Sequence, residues 1–235
     1  MPGPFDFAFL AFFAIAVPVL EYLLFFPRFR AAIASGAPNA RRDGYRRITI
    51  GQWLIVVLAI AISGSMRRAW PDWGFAVPTG WRPWAGIAIV TAFVVLVAVQ
   101  QRAIAHMAPE RLAKVRANLA DLSFLLPHTR VERDWFVALS VTAGICEEFL
   151  YRGVLIWTLR PSLGLAGAAI ASVVLFGAGH AYQGVSHGVR ATAAGALMTV
   201  IVLVTGWLIP AMIVHALMDL GAGFLGYRLL RENAG

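Results

Sequence analysis

Seven apolar blocks, each close to the roughly 20 residues a helix needs to cross hydrocarbon, divide this chain. They fall at 6–26, 48–65, 83–100, 135–158, 164–181, 189–206 and 208–227. Inside a bilayer every backbone N–H and C=O must be paired within the protein, so blocks of this kind read as helices. The expected fold is all-α, a polytopic transmembrane helical bundle of about 7–8 helices, with any catalytic residues in its interior; the eighth arises if one block is split or a re-entrant piece is present. Charged residues make up only 14% of the chain. A soluble domain carries roughly 25%, so a soluble fold is excluded.

Pro18 should kink the first span, which membrane helices tolerate. The N-terminus carries Asp6 and no basic stretch ahead of its apolar block, so that block is expected to stay as a helix and not to act as a cleaved signal. The stretch Trp207-Leu208-Ile209-Pro210 at the junction of the last two spans is so short that it predicts a tight hairpin there.

The net charge of +8 is not spread as a nucleic-acid footprint, and no nucleic-acid partner is expected. Six arginines lie in 28–47, and five more with Lys114 in the loop 101–134. Arg67, Arg68, Arg82 and Arg160 are scattered through other connections. The positive-inside bias therefore places the two basic loops and the Arg228/Arg231 tail in the cytoplasm, with the N-terminus outside. Within the longer loop, Leu112, Val115, Leu119 and Leu122 recur at helical intervals among charges. That pattern is an amphipathic helix, lying on the membrane surface or packed against the bundle.

Ionisable groups inside spans are costly and by default face the interior. This chain has Glu21 in the first span, Glu147, Glu148 and Arg152 in the fourth, His180 at the end of the fifth, and His215 and Asp219 in the seventh. Glu148 and Arg152 are four apart and share a helical face, so that pair can neutralise itself. Glu147 is rotated about 100° from it and has no counter-charge nearby in sequence. Asp219, four after His215, is expected to accept from one ring nitrogen and fix the tautomer. Phe176 shares the face of His180.

An unpaired carboxylate with two histidines on neighbouring helices can activate a water: a desolvated glutamate is a competent base, and histidines hold the water or donate to an oxyanion. The same groups could bind zinc, but no H-E-x-x-H is present and the residues come from three helices. Cys146 reads as a small packing residue, Glu21 as structural or interfacial, and His106, His128 and His187 as loop residues.

"EEFLYR" (147–152), "FGAGH" (176–180) and "HALMD" (215–219) fit E-E-x-x-x-R, F-x-x-x-H and H-x-x-x-N/D, in that order and in successive apolar helices. Together they resemble the intramembrane glutamic proteases of the CAAX protease and bacteriocin-processing (Abi) family. The resemblance covers about residues 130–227; the first three spans match only in being apolar. It implies that 1–134 supplies N-terminal helices and a cytoplasmic loop, and 135–227 a catalytic core, of one membrane domain. It also implies a metal-independent endopeptidase with no cofactor. Glu147 would activate the water, His180 would help to hold it, and His215 and the residue at 219 would stabilise the oxyanion. Glu148, Arg152 and Phe176 would support the site. Asn is usual at 219, and Asp can donate a hydrogen bond only when protonated, so Asp219 is expected to orient His215 instead.

The partners implied are membrane lipid and a protein or peptide substrate, lipidated or bearing a C-terminal sorting signal, cut near its C-terminus. The expected location is a bacterial inner membrane. The rival class is a non-enzymatic membrane protein, a proton-coupled transporter or a bacteriocin-immunity protein, because buried carboxylates and histidines also build proton relays.

Overall fold

The computed structural model describes residues 2–65 and 73–231. Arg67 and Arg68 lie outside the described residues. The described residues are helical with no strand, and six helices are long and apolar enough to cross a membrane. The first, Pro4–Ala34, is continuous. It joins α1 (Pro4–Ala11), α2 (Val17–Leu20) and α3 (Phe26–Ala34) through π-helical turns at Phe12–Ala16 and Glu21–Phe25. Each π turn contains the residue four before a proline, Ala14 for Pro18 and Leu23 for Pro27. A proline ring leaves that carbonyl without its usual donor, and a widened turn accommodates it. The helix thus passes Pro18 without breaking.

The second and third are α4 (Ala40–Ser65) and α5 (Arg82–Ala105). α6 (Pro109–Asn118) is the short helix of the basic loop. Its Leu112 and Val115, with Leu119 and Leu122 beyond its end, are half-buried while the residues between are exposed. Leu119 and Leu122 pack on a cluster of Tyr45, Leu126, Phe136 and Leu139, and Arg116 donates to the Leu229 carbonyl. Of the two settings expected for this segment, the structure shows the one packed against the bundle.

The fourth long helix, Arg130–Gln183, has 54 residues and holds two of the predicted spans. It starts at a capping box: the Glu132 amide donates to Thr129 Oγ1 at 3.2 Å, while the Glu132 carboxylate accepts from the Thr129 amide at 3.0 Å. From α7 (Arg130–Glu148) it runs through a π-helical stretch, Phe149–Leu155, into α8 (Ile156–Gly179). Pro161 and then Gly164, at φ +69°, break α8 and turn it back. The returning limb lies beside the outgoing one, with Ser172 Oγ donating to the Tyr151 carbonyl at 2.9 Å. α9 (Val185–Thr205) and α10 (Leu208–Leu230) follow, joined as predicted by a tight turn with Gly206 at φ +66°.

α7 is the centre of the bundle, packed between α4 and α10, while α10 also touches α5 and α9, and α8 lies on α9. α7 and α10 approach closely because Gly144 has no side chain: a Cβ there would lie 2.6 Å from the Met212 carbonyl oxygen and 2.9 Å from the Ala216 side chain. α5 is peripheral, with only 6% of its most apolar window buried and Ile87, Val95, Leu96 and Val99 turned outward, which suits contact with lipid.

The basic segments meet at one end of the bundle. Arg41 pairs with Glu132 at 3.7 Å, Arg30 stacks over the Phe124 ring, and α6 is tied to the end of α10. Arg82 lies against the α9–α10 turn, at the other end.

Candidate active site

Glu147 and Glu148 close α7 and diverge as their helical offset requires. Glu148 is wholly buried and faces α9 and α10. Its Oε1 accepts from Arg152 Nη1 at 2.9 Å and from His215 Nδ1 at 2.8 Å. Arg152 is itself spanned by three acceptors: Nη2 donates to the Gly195 carbonyl at 2.7 Å, Nε to Thr199 Oγ1 at 3.3 Å, and Nη1 to Glu148. Its guanidinium lies 4.4 Å above the Phe176 ring, a cation–π contact that closes this dry side of the site.

Glu147 faces the other way, into a cavity of about 450 Å³ lined by every long helix except α5. Its Oε1 accepts from Gln52 Nε2 of α4 at 2.7 Å. Its Oε2 is buried and has no hydrogen-bond partner, as is also true of Glu148 Oε2. Two ring nitrogens face Glu147 Oε2: His180 Nε2 at 3.8 Å and His215 Nε2 at 3.9 Å.

The tautomers follow from the partners. His180 Nδ1 lies 2.8 Å from the Phe176 carbonyl, which can only accept, so Nδ1 carries the proton and Nε2 presents a lone pair when the ring is neutral. The Phe176 ring packs on the His180 ring at 4.5 Å between centroids, which fixes its plane. His215 donates from Nδ1 to Glu148 in the same way. The separations of 3.8 and 3.9 Å are too long for direct hydrogen bonds and short enough for one small molecule to bridge.

All seven sequence-predicted residues therefore meet at one place, but one role changes hands. The residue that fixes the His215 ring is Glu148, from a different helix, at 2.8 Å. Asp219 is 3.7 Å from His215 Nε2, beyond a hydrogen bond, and its side chain is 41% exposed on the cavity wall. The i,i+4 spacing put Asp219 on the right face; it could not show that a carboxylate on α7 already held the other nitrogen.

Three more residues of the site were read otherwise from the sequence. Gln52 belongs to a span that matched only in being apolar; the signal was a lone amide in an otherwise apolar block. Glu21, at the second π turn of the first helix, lines the same cavity. His187, read as a loop residue, sits in the first turn of α9, buried, in the cavity wall. His106 caps the end of α5, and His128 lies in the connection before α7, near neither carboxylate. Cys146 is fully buried in the main apolar cluster, as packing requires. Among the described residues no group of three His, Cys, Asp or Glu side chains could hold a metal ion.

Residues 133–221 match the family model described as type II CAAX prenyl endopeptidase, Rce1-like. The matched segment contains all three motifs and every residue of the site that comes from α7, α8, α9 or α10. That match agrees with the resemblance carried by those motifs: the segment is similar to the protease domain of that family, and the chain is a multi-pass integral membrane protein. Comparisons with curated proteins and with solved structures return no match.

Proposed function

We propose that this protein is a metal-independent glutamic endopeptidase that cuts a membrane-associated protein or peptide near its C-terminus. The observation that carries the reading is the unpartnered Glu147 Oε2, with two imidazole nitrogens 3.8 and 3.9 Å away across a cavity.

In this reading a water sits between Glu147 Oε2 and His180 Nε2. Glu147 takes one proton as the water oxygen attacks the scissile carbonyl carbon. The His180 lone pair accepts the other hydrogen bond and aims the attack. Gln52 holds Glu147 Oε1, so the carboxylate cannot rotate away. The carbonyl oxygen becomes an oxyanion and takes a hydrogen bond from His215 Nε2, which requires that ring to carry both protons. Glu148 opposes the resulting charge at Nδ1, and Arg152 holds the Glu148 carboxylate in place. When the tetrahedral intermediate collapses, the C–N bond breaks and the proton held by Glu147 passes to the leaving amine. Asp219 borders the oxyanion position, 3.7 Å from His215 Nε2, and acts on His215 from the open side.

The Arg-rich loops gathered at one end of the bundle support a bacterial inner membrane with that end in the cytoplasm. The cavity has Leu122, Leu125 and Leu126 of the basic loop in its wall, so substrate would enter from there.

The test incubates the purified protein in detergent with a peptide library and reads new C-termini by mass spectrometry. Cleavage should vanish in Glu147→Gln and in His180→Ala, with both proteins folded, and should persist in a chelator. Chelator inhibition reversed by zinc would overturn the metal-independent mechanism.

A further inference from the structure

The proposed protease site leaves the α9 wall of its cavity unexplained. The acidic groups lining the cavity are Glu21, Glu147 and Asp219, on the first helix, α7 and α10. The basic groups that face them, apart from the two histidines at Glu147, are His187 and Arg190, both on α9 and one helical turn apart. The cavity is thus lined by groups of both charges, with the two basic ones on α9.

His187 is 7% exposed, lines this cavity and the adjoining one of about 640 Å³, and makes no hydrogen bond to any described residue. A buried imidazole without a partner is costly unless something else supplies one. Arg190 has no ion pair among the described residues. His187 is the third residue of α9, a helix of 21 residues. Gly184 precedes the helix and offers no side-chain cap, so the first-turn amides are uncapped. Uncapped amides at the positive end of a helix, a buried imidazole donor and a guanidinium one turn on form a receptor for a small anion. The adjoining cavity also has Asp121 and Arg30 in its wall.

We infer that this end of α9, through His187 and Arg190, binds the free C-terminal carboxylate of the peptide being cut. The inference rests on the endopeptidase reading, because that reading brings a chain end into this cavity. It adds what the reading lacks, a direction for the substrate. The chain would lie across the cavity with its scissile bond at Glu147 and its terminus at α9. The subsite would then set how many residues are released.

The experiment measures binding of acetyl-Ala-Leu-Leu, as the free acid and as the C-terminal amide, to the full chain in detergent. The free acid should bind about tenfold or more tightly than the amide, the difference made by charge-assisted hydrogen bonds. Arg190→Gln, an exposed position that should not disturb folding, should reduce that preference severalfold. Adding His187→Gln should abolish it. Glu147→Gln should retain it in full. Equal binding of acid and amide, or a preference that survives Arg190→Gln unchanged, overturns the inference. If amide-ended peptides are cleaved as fast as acid-ended ones, the subsite fails while the protease stands. If the acid is preferred and no peptide is cleaved, the subsite stands and the protease reading fails.

Discussion

Two adjacent carboxylates in this protein have opposite surroundings. Glu148 lies on the closed side of α7, wholly buried, with the charged Arg152 at 2.9 Å and His215 at 2.8 Å on one oxygen. Glu147 lies on the open side, where its only donor among the described residues is the neutral amide of Gln52 and its other oxygen faces a cavity. The difference separates two tasks: the closed side fixes the geometry of the helices and of one imidazole, and the open side is left free to react. A helix places neighbouring residues about 100° apart, so one dipeptide can serve both sides.

Four substitutions break this comparison, in falling order of effect. Glu147→Gln removes the unengaged carboxylate oxygen that faces the cavity and should lower cleavage by about 10³-fold or more, the loss of a general base, while thermal unfolding stays unchanged. Arg152→Ala strands Glu148 in a dry interior. That should cost about 3–5 kcal/mol of stability, read as a fall in the unfolding midpoint in detergent. An Arg152→Ala protein as stable as wild type would show that the closed side holds nothing together.

Gln52→Leu should leave stability nearly intact and lower kcat by about 10- to 100-fold, the worth of one hydrogen bond to a charged group. A change confined to KM would move Gln52 from the reaction to substrate binding. Asp219→Asn should have the smallest effect, within about threefold of wild-type kcat/KM, because Glu148 already orients His215 and a single exposed charge is worth little. A loss as large as that of Glu147→Gln would return the orienting role to Asp219.

Much of the fold was legible because the bilayer allows so few solutions. The seven apolar blocks correspond to helices, and the break at Gly164 falls where the fourth and fifth blocks were divided. The three motifs were legible for the same reason, since a charge in an apolar block is a strong signal. What could not be read was contact between helices distant in sequence. Nothing within α4 shows that Gln52 reaches Glu147, 95 positions later. Nor does α10 show that His215 turns toward Glu148 and not toward Asp219 on its own face. His187 looked like a loop residue because Gly184 and the short helical turn at Ala181–Gln183 end the apolar pattern just before it.

The turn at Gly164 also sets a depth. The limb from there to Gly179 is about 15 residues, roughly 22 Å at the helical rise, against about 30 Å of hydrocarbon. It ends at His180, so with the Gly164 turn at one membrane surface the limb would leave the reactive groups below the other by the length of helix that it lacks. The shortfall is roughly 8 Å, or two to three residues of extended chain at about 3.3 Å each. The short limb therefore works as a ruler. In the proposed reaction, a polypeptide resting at the membrane surface would need to dip only a few residues to reach Glu147, with no helix unwound across the bilayer.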